Sequence, residues 1–146
     1  GGLAHNVIPE TIKLAGTVRT LTPKMRDLAE ERLKAIATGI AASFGASAEV
    51  NYQRHYPVSV NHPLETGIAG DSAALTAGEE SVDRAVDPMM GGEDFAYMLE
   101  ARPGAFIFIG NGDSASLHHP AYDFNDEAIP YGISYWVNLA ERALAA

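Results

Sequence analysis

Residues 11–53 read TIKLAGTVRT LTPKMRDLAE ERLKAIATGI AASFGASAEV NYQ, and their changing period decides the fold class. Ile12, Leu14, Gly16, Val18 and Thr20 alternate with Lys13, Ala15, Thr17 and Arg19, the period-2 pattern of a half-buried strand. Thr22-Pro23 then predicts a helix start, with Thr as N-cap and Pro at the first position, where its missing N–H costs nothing. Met25, Leu28, Ala29, Leu33, Ile36, Ile40 and Phe44 recur at helical spacing up to Gly45, a stop signal. Ala48, Val50 and Tyr52 alternate with Glu49, Asn51 and Gln53 as a second strand. Strand, long helix, strand is an α+β element with one helical layer on a sheet. A single unit of this kind leaves most of the sheet unpaired.

The rest of the chain supplies a second incomplete layer. A helix is expected from about Pro63 to Thr76 on Leu64, Ile68 and Leu75, ended by Gly78. An acidic loop follows (Glu79, Glu80, Asp83, Asp87), then Gly91-Gly92 and a short helix over Glu93–Leu99. AFIFIG at 105–110 reads as a buried strand and 111–126 as a polar loop. The last helix starts between Asp126 and Pro130, with Ile133, Trp136, Val137, Ala140 and Leu144 on one face. The two parts meet in YPVSVNHP at 56–63, where the charge also changes. Residues 1–60 carry a net +2 and the remainder −11.

Composition narrows the function classes. The 146 residues hold Lys+Arg 10 against Asp+Glu 19, a formal charge of −9. Duplex nucleic acid and anionic membranes are recognised through cationic contacts, so neither is an expected partner. No apolar run reaches the ~18–20 residues of a membrane span. With no cysteine there is no disulfide, thiolate nucleophile or cysteine-ligated zinc. Together with the acid excess this fits a cytoplasmic protein. The opening Gly1-Gly2-Leu3 has neither an initiator Met nor a signal-peptide pattern, and reads either as a chain from which something upstream was removed or as a piece of a longer protein.

Three places could carry chemistry. His118-His119-Pro120 lies in the loop after the apolar strand, where ligands of α/β sheets gather, with Asp123, Asp126 and Glu127 close in sequence. A metal site needs three or four ligands from several segments, so the alternative is a solvated polar loop. Gly91-Gly92 precedes a helix start, which lets backbone N–H groups approach an anion, although Glu93 and Asp94 equally suit the helix dipole. Arg19, near Lys13 and Thr17, is either a solvated arginine or a guanidinium fork for a carboxylate. Asn6 precedes Val7-Ile8-Pro9, while His5, His55 and His62 read as structural or exposed.

GGLAHNVIPE, GTVRT, MGGEDFAYML, PGAFIFIGNG and LHHPAYDFNDE occur here in one order. Together they resemble the C-terminal part of the metal-dependent amidohydrolases and aminoacylases, the group of hippurate hydrolases, auxin-conjugate hydrolases and related carboxypeptidases. The resemblance implies an incomplete zinc-peptidase-like α/β catalytic sandwich, residues 57–146, plus half of a ferredoxin-like α+β lid and dimerisation domain, residues 1–56. It implies that His118, next to Leu117, ligates metal while His119 occupies a variable position. Asn6 and Arg19 then contact the substrate carboxylate, and Gly91 and Gly92 lie beside the substrate. It also implies two divalent ions (Zn, Mn, Co or Ni), a homodimer formed through the lid, and an N-acyl amino acid substrate, hippurate-like, with a free carboxylate. The glutamate general base and the remaining metal ligands are expected upstream of these residues. The isolated chain is therefore expected to bind metal weakly and to be inactive. A non-catalytic binding or dimerisation module is the competing expectation, since an unpaired sheet edge can take a strand from another chain.

Overall fold

The computed structural model describes residues 1–145. Among the described residues four helices are formed, α1 (Pro23–Ser43), α2 (Pro63–Ala77), α3 (Phe95–Ala101) and α4 (Ala128–Leu144), with a 3-10 turn over Glu79–Ser81. The chain divides into two compact units, Gly1–Arg54 and His55 onward. No helix among the described residues is long and apolar enough to cross a membrane.

In the first unit α1 begins and ends where the sequence places its signals. Thr22, in extended backbone, accepts a hydrogen bond at Oγ1 from the Met25 N–H at 3.2 Å, and Pro23 takes the first position. At the other end the Gly45 N–H donates to Ala42 O at 3.0 Å and the Ala46 N–H to Ala41 O at 2.9 Å. This paired closure needs a left-handed residue between them, and Gly45 supplies it at φ 71°. Arg54 ties the chain back to α1 through Asp27 (2.7 Å) and Glu30 (2.6 Å). Its proximity and that of Lys34 hold the Glu30 carboxyl below its ordinary value, the Lys34 hydrogen bond being the larger cause.

In the second unit α2 packs on α4. Ala69 and Ser72 are buried on α2 and Tyr135 on α4, and the buried Ser72 hydroxyl donates to Ile68 O at 2.8 Å. Asn138 Nδ2 donates to Thr76 Oγ1 at 2.9 Å across the helix pair. At the exposed edge Asp71 receives both Arg142 (2.9 Å) and Arg84 (3.1 Å), and Arg84 also grips Glu79 at 2.7 Å. Arg84 crosses α2 at Gly70, where a Cβ would stand 2.6 Å from its Nη1. The remaining core residues are Ala96 and Leu99 of α3.

Two expectations fail, for one physical reason. The strands expected over 12–20, 48–53 and 105–110 are not formed; no strand exists among the described residues. The apolar faces expected to be core are also uncovered: Phe44 is 84% exposed, Leu64 71%, Trp136 66% and Leu144 84%. A strand needs a ladder partner and an apolar stripe needs a facing layer. These residues provide neither for the other. What packs instead is the small-residue side of α2 against the Tyr135 side of α4. The exposed area, 11926 Å², exceeds the roughly 8,600 Å² that two compact bodies of this size would show together.

The 105–110 segment is nevertheless held at its start. The Asn61 amide donates to Phe106 O and accepts from the Phe106 N–H, both at 2.8 Å. The His62 N–H donates to Gly104 O at 3.0 Å, and the Gly104 N–H donates to His62 Nδ1 at 3.2 Å. Three of these four bonds use a side chain in place of a neighbouring strand's backbone. His62 Nδ1 takes part in this local pairing and also stands 3.4 Å from Gly104 O.

Candidate functional site

The loop between residues 111 and 126 carries the adjacent histidines. His118 adopts φ 67°, the left-handed conformation that among the described residues no other non-glycine takes. Such backbone is sparsely populated for a residue bearing a Cβ, and it recurs at ligand sites. Short-range bonds shape the turn around it: the His119 N–H donates to Ser116 O at 3.0 Å and the Tyr122 N–H to His119 O at 2.9 Å. The His119 ring is used locally, accepting the Ala121 N–H at Nδ1 over 3.1 Å. The His118 ring is exposed and makes no hydrogen bond among the described residues, so both its nitrogens are open to an outside partner.

Beside this turn lies an open cavity of about 610 Å³ lined by Asn111, Asp113, Ser114, Asp123, Asn125 and Asp126 among others. Of the carboxylates near the histidines in sequence, Asp123 and Asp126 line this cavity and Glu127 does not; neither does His118. Among the described residues no group of three or more His, Asp or Glu side chains converges as a metal site. The donor set is therefore one free imidazole. It fits one ligand of a centre completed by other residues, since zinc-type centres take three or four.

The glycine pair sits in an exposed stretch just ahead of α3. Neither Gly91 nor Gly92 adopts positive φ, and a Cβ would meet nothing within 4 Å at Gly91 and only Tyr56 Cδ2 at 3.5 Å at Gly92. Nothing in the described residues demands glycine there. The helix starts later than its sequence signal: Asp94 is the cap and Glu93 precedes it. These acids stand before the first turn rather than in it. Tyr56 and Tyr97 stack edge to face at 5.9 Å on this side of α3.

In the first unit Asn6 and Arg19 are both exposed. Among the described residues Arg19 makes no hydrogen bond or ion pair, in contrast to Arg54, which holds two carboxylates. Its guanidinium fork is available to a ligand, though without the strand that was expected to present it.

The sequence reading passed over Asn111, treated only as the first residue of a polar loop. The Asn-Gly pair in its GNG context was the available signal, because such pairs mark turns whose side chains bond nearby backbone. Asn61 and Gly70 were missed for a different reason: what they touch lies 45 and 14 residues away in the chain.

The model of the peptidase family M20/M25/M40 matches residues 3–142. The chain belongs to this family. Its fold is of the zinc-peptidase α/β kind, so the class expected from the sequence stands at that level, while no strand is formed among the described residues. Among curated relatives it is 40% identical over 129 residues to YhaA of Bacillus subtilis (strain 168), covering 85% of this chain and 32% of that protein. It is 35% identical over 139 residues to an N-acetylcysteine deacetylase of the same organism, with 95% and 36% covered. To the N-acetyldiaminopimelate deacetylase of Streptococcus gordonii it is 39% identical over 134 residues, with 90% and 35% covered. The chain spans about a third of the length of these family members. No solved structure matches it significantly.

Proposed function

We propose that these residues are the C-terminal part of a metal-dependent amidohydrolase that cleaves the amide bond of N-acyl amino acids. The observation that carries this is the family match over 3–142 together with relatives named as deacetylases of N-acyl amino acids. In this reading residues 1–56 are the second half of a lid that dimerises, and 57–146 close the catalytic domain. The uncovered apolar faces of α1, α2 and α4 support it, because a longer chain offers layers to cover them.

Each residue then has a defined task. His118 offers a neutral imidazole as one ligand to a pair of divalent ions (Zn, Mn, Co or Ni), which when bound lower the pKa of a water and stabilise negative charge on the acyl oxygen. Arg19 forks the free carboxylate of the substrate with two parallel N–H groups, a geometry lysine cannot reproduce. Asn6 donates its amide N–H to the same carboxylate. The backbone at Gly91 and Gly92 lies along the substrate, where the absence of side chains leaves room for it. The proton is taken by a glutamate outside these 146 residues, so the chain alone turns over no substrate. Hippurate-like molecules, with an aromatic acyl group and a free carboxylate, are the substrate class.

The test is Arg19→Ala in the complete enzyme, with an N-acyl amino acid and its amidated counterpart compared. Loss of a charge-assisted bidentate contact should lower kcat/KM about ten- to hundredfold on the carboxylate substrate and leave the amidated one unchanged. Equal kcat/KM for wild type and variant on the carboxylate substrate would remove Arg19 from the site. The uncovered faces also favour a second reading, a non-catalytic dimerisation or binding module. Absence of amidase activity in the complete, metal-loaded protein would select it.

A further inference from the structure

The loop that carries His118 is closed at its base by side chains, chiefly that of Asn111. Asn111 Nδ2 donates to Asp123 O at 2.8 Å, and Asn111 Oδ1 accepts the Asn125 N–H at 2.8 Å. Ser114 Oγ lies 3.2 Å from the same Asp123 carbonyl. These are the bonds that join the outgoing and returning arms; Ser114 Oγ also lies 3.0 Å from Ala115 O, and turn bonds shape residues 116–122. Gly112 turns the chain immediately after Asn111 at φ 77° and would, with a Cβ, approach Asn125 Nδ2 to 3.5 Å. The half-buried Asn111 amide therefore performs for the two arms what Asn61 performs for Phe106: it replaces a ladder rung.

The His118 ring has no hydrogen bond of its own to aim it. Its direction follows from the backbone, a left-handed turn held only by bonds within the loop, on a base held by Asn111. We propose that Asn111 is a positioning residue whose amide clamps the base of the 112–122 loop and so fixes the direction in which His118 is offered to a metal ion. The proposal rests on the reading of His118 as a ligand. A metal ligand on an unclamped loop must be ordered during binding, and that cost appears as lost affinity without loss of the ligand itself. Removing a group that orients a ligand typically lowers metal affinity 10–100-fold.

The experiment uses the complete enzyme and Zn²⁺, with binding measured by competition against a chromophoric chelator. Asn111→Leu keeps the γ-branched shape, at a larger volume, and removes both bonds; Asn111→Ala, which places no methyl groups against the Asn125 N–H, is read in parallel should the leucine variant fail to fold. His118→Ala is the control. The expected result is unchanged Zn²⁺ stoichiometry at saturation for the Asn111 variants, with affinity at one site weaker by tenfold or more. Their kcat should recover as Zn²⁺ is raised while KM stays near wild type, a split that a merely structural lesion would not produce. His118→Ala should lose one equivalent outright. If His118→Ala loses its equivalent but both Asn111 variants bind Zn²⁺ within twofold of wild type, the positioning role is overturned and the ligand reading survives. If His118→Ala keeps both ions at full affinity, the ligand reading fails and the proposal fails with it.

Discussion

Replacing Asn61 tests whether side-chain amides stand in for strand pairing in this chain. Asn61→Ala deletes two hydrogen bonds of 2.8 Å and leaves the Phe106 N–H and carbonyl unmatched in a half-buried setting. At about 1 kcal/mol net per bond the local loss is about 2 kcal/mol, or about thirtyfold in the opening equilibrium. Hydrogen exchange in the complete protein reads this directly, as the protection factor of peptides containing Phe106. Asn61→Asp sharpens the test. Its carboxylate keeps the acceptor for the Phe106 N–H but sets a second oxygen against the Phe106 carbonyl, where the amide had donated. At pH 7 protection should fall at least as far as in the alanine variant. Below about pH 4 the acid is protonated, can donate again, and protection should return toward wild type after correction for intrinsic exchange. Protection at Phe106 within a factor of three of wild type in Asn61→Ala, or no acid recovery in Asn61→Asp, would refute the rung-replacement reasoning.

Gly70→Ala puts a Cβ 2.6 Å from the flexible end of Arg84, which must swing away from its exposed partners Asp71 and Glu79, so the ordinary helical gain of alanine over glycine should be reduced. In an Arg84→Ala background the same change should stabilise by the full amount, about 0.5–1 kcal/mol; equal gains in the two backgrounds would separate Gly70 from Arg84. Stability should also depend on pH at both extremes. Glu30 and Glu79 are held below their ordinary 4.5, chiefly by hydrogen bonds from Lys34 and Arg84 respectively, so their contribution is full above 4.5 and is lost as pH falls through the lowered values. Burial raises Tyr135 above 10.0, so its contribution is full below 10.0 and is lost as pH rises through the raised value. Urea midpoints across pH check both limbs, and Glu79→Gln should flatten the acid one.

The exposed faces carry a consequence for handling the isolated chain. Leu64, Trp136, Phe44 and Leu144 belong to apolar stripes far larger than the single exposed hydrophobics usual on a monomer. Such surface is a risk for self-association until a further layer covers it.

What the sequence determined by itself was local. Thr22-Pro23 and Gly45 set the two ends of α1 because a cap oxygen, a missing N–H and a left-handed residue act within one turn. Five ordered motifs were enough to place the chain in its family, since they read out chemistry that needs no knowledge of packing. The same motifs are what propose His118 as a ligand. Which helix face is buried was decided by tertiary structure, because hydrophobic periodicity names a face without naming what covers it. Within these residues the cover is absent, so Ala69, Ser72 and Tyr135 make the contact and the apolar stripes remain outside. The strands failed for a related reason: alternation prepares a chain for a sheet, but hydrogen bonds need a second edge. Only the folded chain showed that Asn61 and Asn111 supply that edge from their side chains, across 45 and 12–14 residues of sequence.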